Sequence, residues 1–366
     1  MAINEIIDLA QSLIRFKSVA ARPDQIRECA AFICSYLTSH GIDYRRSDHN
    51  NLPTIAALPS PRNSPLLLMS HLDVVAGPDH LFEPYIKAGR LYGRGAADDK
   101  YAVALSLVMI NEAMAKLRAA GKDQRHLPFG ILITGDEEVG GFDGAQQALK
   151  KIKARFCIAL DGGRPDQIVV KEKGVLRLKL TSHGKAAHGA RPWLGTNAIE
   201  RMVNDYFRIK RHFTNDTPDH WHRTINWGIV RAGESVNQVP DFAEAWLDIR
   251  FTENDNMQAL IDQIRAEIDG EIEIKEHWPL FVGGDSPFLD ALKRVAHSAE
   301  CVFEHGASDA RFLSSHGVPG VVWGADGEMS QHSADEHVVI ESVSRLHDML
   351  ADFIAQVELD LQRGKL

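Results

Sequence analysis

The stretch GRGAADDK, Gly93 to Lys100, decides how this chain reads. A glycine-rich turn delivers a carboxylate, Asp98, just ahead of an unbroken helical run from Tyr101 to Leu117. Upstream, the fully apolar PLLLMSH runs into SHLDVV, which presents His71 and Asp73. Downstream, FGILITG ends in the acidic pair Glu137 and Glu138, and CIALDGG ends in Asp161. Continuous apolar runs of this kind are strands buried on both faces. Strands alternating with helices predict an α/β sheet covered on both sides. Ligands collect at the carboxyl ends of strands in such sheets, and His71, Glu137, Glu138 and Asp161 all fall at that end.

Working outward, residues 3–17 and 24–40 have the apolar spacing of amphipathic helices, with Pro23 before the second and Gly41 closing it. TIAALP and QIVVKE read as further strands, with a short helix near 143–154. From about Gly174 the pattern changes. LRLKLTS alternates as a half-exposed strand, followed by a helix (197–212), the strands HRTINWGIV and AEAWLDIRF, a helix (257–268) and EIEIKEHW. That order is the split βαβ of a ferredoxin-like module. It predicts a self-contained domain, 174–281, inserted into a discontinuous first domain, 1–173 and 282–366. Helix–strand alternation resumes at Ser286 and ends in a long helix from Glu341, without internal repeat or low-complexity tract.

A chain of 366 residues exceeds what one core supports, which agrees with two domains. Its net charge of −9 argues against nucleic acid or an anionic membrane as partner. The four cysteines show no CxxC spacing and fit a reducing compartment. The N-terminal MAINEIIDLAQSLIRF lacks the apolar core of a signal peptide, and no apolar run approaches the roughly 20 residues of a membrane span. The expectation is a cytoplasmic protein.

The chemistry-bearing groups each have a plainer explanation. His71 and Asp73, two apart on a strand, share a face, so Asp73 could orient the imidazole. Asp98 could simply cap its helix, a role open to Asp99 as well. Glu137 and Glu138 face different ways, so one can bind metal while the other takes a proton. A solvated acidic turn explains them too, and a turn explains Asp161. His332, in SQHSADEHV, reads by itself as a loop histidine. Together these groups suit two metal ions clamping a hydrolytic site, for which zinc accepts the mix of imidazole and carboxylate. No basic phosphate clamp lies near them, against a phosphoesterase.

The ordered motifs SHLDVV, GRGAADDK, GDEEVGG, LDGG and QHSADE resemble those of the M20 family of metallopeptidases, and SHGKAAHGARPWLGTNAI resembles the family's dimerisation-domain signature. The resemblance implies a zinc-peptidase-like catalytic domain with a mixed sheet between helices and an α+β lid. It implies that His71, Asp98 and Asp161 hold one Zn2+ and that Asp98, Glu138 and His332 hold the other, with Co2+ or Mn2+ as possible substitutes. Glu137 would be the general base, Asp73 the support of His71, and the Asp98–Asp99 peptide would be cis. His188 and Asn237 would reach a partner subunit's site in a homodimer formed through the lid, while Arg250 would grip a substrate carboxylate. Arg311 is a further candidate for substrate binding. The implied reaction is cleavage of the amide bond of a small peptide or N-acyl amino acid bearing a free carboxylate. N-succinyl-diaminopimelate desuccinylation or acetylornithine-type deacetylation is the alternative. An inactive member kept as a binding or regulatory protein is the rival from another class, and the filled ligand positions oppose it. Three departures bear on this. HGASDARF stands where desuccinylases have GGTSDGRF, Asp161 replaces a Glu and leans toward peptidases, and Tyr101 stands where relatives have Gly, which would tighten the helix start.

Overall fold

Leu66, Leu67 and Leu68 have no exposed surface, because the strand that carries them, Asn63–His71, lies in the middle of a mixed sheet. It pairs in parallel with Phe129–Thr134 on one side and Lys153–Ala159 on the other, and Gly320–Val322 extends the parallel set. Leu52–Ala57 and Gln167–Glu172 add antiparallel neighbours at the two sides of that set. The computed structural model describes residues 2–366 of the chain.

Helices cover the sheet. In Lys100–Ala119 every residue from Lys100 to Ile110 is buried, so this helix is apolar nearly all round and belongs to the core. Ala2–Ile14, Pro23–Ser39 and Ile340–Gln362 contribute one apolar stripe each to the same core, with Ile6, Leu13, Ile33, Leu346, Leu350 and Phe353 fully enclosed. Each such side chain contributes about 1.5–3 kcal/mol of transfer free energy. The α/β reading of the sequence is borne out, with helix ends within a few residues of expectation. The predicted helix near 143–154 is shorter, Ala145–Leu149, because Lys153 already starts the next strand.

The chain divides into two compact units: residues up to Lys171 with Val282–Val302 and Ser308–Leu366, and Glu172–Phe281 with Phe303–Ala307. The second unit has its own core around Leu176, Leu178, Leu247, Ile249 and Ile261. Its sheet runs in the order Thr224–Ala232, Phe242–Phe251, Gly174–His183, Glu271–Trp278, antiparallel throughout, with the helices Ala198–Lys210 and Met257–Glu267. This is the strand order of a ferredoxin-like fold. Asn197 and Asn256 cap its two helices through their side-chain oxygens.

Cys29, Cys34 and Cys157 are buried, Cys301 is exposed, and all four are free. Among the described residues no helix is long and apolar enough to cross a membrane.

Candidate metal centre

Parallel register brings His71 opposite Thr134 and Met69 opposite Ala159, so three strands end at one edge. The chain leaves that edge as His71–Asp73, Asp136–Glu138 and Leu160–Asp161. Asp98 reaches the same place from the glycine turn. Its Oδ1 lies 2.9 Å from His71 Nε2, and its Oδ2 lies 3.1 Å from His332 Nε2. Asp161 Oδ2 is 3.8 Å from His71 Nε2, and Glu138 Oε2 is 3.4 Å from His332 Nε2. Two groups result, His71–Asp98–Asp161 and Asp98–Glu138–His332, in each of which the candidate ligand atoms lie within 4.8 Å of one another. Asp98 is common to both.

The turn that presents Asp98 is held from a distant part of the chain. Glu336 Oε1 accepts the N–H groups of Gly95, Ala97 and Asp98 at 2.9, 3.2 and 3.3 Å, while its Oε2 receives a short hydrogen bond from Arg94 Nη1. Arg94 also donates to the carbonyl of His332 at 3.3 Å. Gly95 is required here: at φ +84° a Cβ would press on the Val74 and Lys100 side chains. Glu336 lay inside the QHSADE motif, but nothing in its local sequence assigned it this part. Replacing it by alanine leaves Arg94, 3% exposed, without its carboxylate and opens three turn N–H groups. The expected cost is about 3–5 kcal/mol, readable as a lowered denaturation midpoint, with Glu336→Gln closer to wild type.

Asp73 stands beside His71 and also holds the acidic turn. His71 Nδ1–H donates to the backbone carbonyl of Asp73 at 3.0 Å, whereas the Asp73 carboxylate is 3.5 Å away. That carboxylate accepts the N–H groups of Glu137 and Glu138 at 3.2 and 3.0 Å. It therefore fixes the acidic turn, and the backbone carbonyl fixes the imidazole. Asp136 closes the other side of this turn by accepting from Asp143 and Gly144. Asp99 occupies the cap position of the Lys100–Ala119 helix, but its side chain makes no capping bond. Its Oδ2 accepts from His71 N at 3.3 Å instead. The Asp98–Asp99 peptide is cis. Tyr101 is buried. Its hydroxyl donates to Leu160 O at 2.7 Å and accepts from Ala325 N at 2.8 Å, bracing the residue before Asp161.

Glu137 belongs to neither ligand group. Its Oε1 is 3.6 Å from Arg311 Nη1, and Arg311 Nη2 is 3.6 Å from Asp309. Arg311 has no exposed surface and also donates to Ser308 O, so this arginine stands under the acidic turn and presents nothing to solvent. In the second unit, His188 and Asn237 come together: Ala187–His188 pairs with Gln238–Val239, and Gly189 N donates to Asn237 O at 2.6 Å. His188 is exposed, with Nδ1 accepting from Ala190 N. Arg250, in the same unit, already grips a carboxylate of its own strand, Asp248, through Nε at 2.7 Å and Nη2 at 3.3 Å.

The electrostatics show a site short of positive charge. Burial pushes the Glu137 carboxyl far above its usual range, reinforced by Asp161 and Asp309. Burial also raises Glu138, against the opposing hydrogen bond from His332, and raises Asp309 to about 7. For Asp98, burial is outweighed by hydrogen bonds from His332 and His71, which hold it below the carboxylate range. Hydrogen bonding to Asp98 and Glu138 pushes His332 up to about 10. For His71, burial disfavours the imidazolium, but Asp161, Asp73 and Asp98 override it and raise the group. Imidazole nitrogen and carboxylate oxygen in two overlapping sets, with surplus buried acid, fit a pair of divalent cations.

A sheet edge that gathers such ligands around an unligated carboxylate defines a candidate metallohydrolase. Comparison with known proteins makes the class specific. The profile of peptidase family M20/M25/M40 matches residues 67–356, and the chain belongs to that family. Succinyl-diaminopimelate desuccinylase of Parvibaculum lavamentivorans is 31% identical over 296 residues, 73% of this chain and 72% of that one. Among solved structures, aminopeptidase PepT from Bacillus cereus matches with a TM-score of 0.77 at 21% identity, covering 97% of this chain and 98% of that one. An M20 family metallo-carboxypeptidase from Sulfolobus solfataricus matches with a TM-score of 0.77 at 18% identity, covering 97% and 99%. The chain is thus a hydrolase of the class that acts on amide bonds.

Proposed function

We propose that the chain is a two-zinc hydrolase that cleaves the amide bond of small peptides or N-acyl amino acids carrying a free carboxylate. The observation that carries this reading is the single carboxylate, Asp98, offering one oxygen to each histidine while Glu137 stays outside both groups. His71, Asp98 and Asp161 would hold one ion, and Asp98, Glu138 and His332 the other. When bound, such ions polarise a substrate carbonyl and acidify water.

Glu137 supplies the proton acceptor. Its carboxylate, steadied by Arg311, takes a proton from the attacking water and passes it to the leaving amine. Asp73 holds the Glu137 and Glu138 amides so that the two side chains keep separate tasks. Arg311 thereby becomes a positioning group for Glu137, although substrate binding was the sequence expectation. Arg250 remains the candidate for gripping the substrate carboxylate, which requires it to exchange Asp248 for the ligand.

A homodimer formed through the second unit accompanies this reading. Its support is an edge strand, Thr224–Ala232, with Ile229 and Val230 exposed, and the exposed Phe207 and Trp193 of the same unit. His188 and Asn237 would polarise the scissile carbonyl of the partner's substrate. His188→Ala is expected to lower kcat about a hundredfold or more with metal content and fold intact. Unchanged kcat would remove His188 from the site.

Substrate choice is tested by assaying the zinc-loaded protein on unmodified dipeptides and on N-acyl amino acids, including N-succinyl-diaminopimelate. Dipeptide turnover supports the peptidase reading. Turnover of only acylated substrates supports the desuccinylase or deacetylase reading, which the sequence similarity to succinyl-diaminopimelate desuccinylase favours. Turnover of neither set, with metal bound, would return the inactive-relative reading.

A further inference from the structure

Between the helix Ala198–Lys210 and the strand Thr224–Ala232 the chain carries Asp216-Thr-Pro-Asp-His220-Trp-His222, a segment used by nothing so far described. We propose that Asp216, His220 and His222 form a separate metal site in the second unit, one that takes a divalent transition ion of the zinc type. The three residues offer ligand atoms that all lie within 4.8 Å of one another.

The state of His222 gives independent support. Its Nδ1–H donates to the carbonyl of Arg223 at 3.0 Å, which leaves Nε2 as the lone-pair nitrogen. That Nε2 is shielded from solvent and has no hydrogen-bond partner. A buried ring nitrogen without a partner costs about 1–3 kcal/mol. A carbonyl-bonded imidazole with its other nitrogen unsatisfied is the arrangement in which histidine ligates metals. The His220 ring stands edge-on to it, with centroids 6.1 Å apart and planes at 68°.

The backbone is held in place before any ion arrives. Lys173 Nζ donates to the carbonyls of His220 and His222, at 2.7 Å each. His220 N donates to Thr217 O and His222 N to His220 O. Asp219 is engaged by Thr217 Oγ1 and Trp221 N, so Asp216 is the carboxylate left for a ligand. The Lys173 ammonium opposes a dication, and Asp216 and Asp219 offset it. Burial also disfavours the charged form of that lysine. Two imidazoles and one carboxylate leave a fourth tetrahedral position to water and match zinc-type ions; magnesium and calcium prefer all-oxygen sets. Bound there, the ion closes the segment 216–222 on itself.

The test uses the full-length protein, stripped with a chelator, loaded with zinc and desalted, with zinc per chain measured by mass spectrometry. The His220→Gln/His222→Gln double variant should retain one zinc fewer per chain than wild type, with amide hydrolysis within about twofold. Equal zinc in the two proteins overturns the site. The difference is read whatever number of ions the sheet-edge groups hold, so it is independent of the proposed reaction. Asp216→Asn, which leaves every backbone contact in place, serves if the double variant fails to fold. It should weaken zinc at this site about tenfold or more in competition with a chromophoric chelator, and an unchanged affinity overturns the proposal.

Discussion

Replacing Glu137 by glutamine should lower turnover by roughly a hundred- to ten-thousand-fold while the metal content stays at the wild-type value. The carboxylate lies at the sheet edge but in neither ligand group, and the Arg311 guanidinium pairs with it at 3.6 Å. Glutamine keeps the shape and an oxygen for Arg311 but cannot accept the proton. Steady-state hydrolysis together with metal analysis separates the two roles open to the acidic pair. If Glu137→Gln also empties a metal site, then Glu137 is the ligand and Glu138 the base. Glu138→Gln should behave in the opposite way, with weaker metal retention as its first effect.

Replacing Asp98 by alanine should be more damaging still, with both ions weakened at once. Each carboxylate oxygen faces a different histidine, so removal takes one ligand from both groups and leaves His71 and His332 without their shared acceptor. Lewis-acid stabilisation is worth several kcal/mol, so turnover should fall by roughly a thousand- to ten-thousand-fold or more. Metal content measured after desalting should drop for both ions. Asp161→Ala, which touches only the group containing His71, should release one ion preferentially. Loss of a single ion from Asp98→Ala, matching Asp161→Ala, would show that the carboxylate is not shared.

Much of this was legible in the chain because the strands leading to the site are uninterrupted apolar runs. PLLLMSH and FGILITG have the length and continuous apolar character of buried strands, and residues at their ends come together because the strands are parallel neighbours. The ferredoxin-like unit was legible for a related reason, since its strands alternate cleanly and its helices carry clear caps. What local pattern could not supply was the partner of each polar group. Glu336 meets Gly95 across 241 residues, and no periodicity reports such a contact. Asp73, two residues from His71, suggested a direct pair, but nothing local showed that its carboxylate also accepts the amides of Glu137 and Glu138. Arg311 was a candidate for substrate binding; here the chain buries it beside two carboxylates, a placement its local sequence does not report. The Asp216, His220 and His222 group is not legible either, because a loop histidine carries no sign in sequence of its ring nitrogen being shielded.

The embrace of the glycine turn by Glu336 also orders events during synthesis. Asp98 leaves the ribosome long before His332 and Glu336, which are translated only after the whole second unit. At about 5–20 residues per second that interval is roughly 10–50 s. Throughout it the turn lacks its anchor, and one ligand group lacks its histidine. On the proposed reading, a nascent chain cannot assemble the centre before the segment holding His332 and Glu336 has been made.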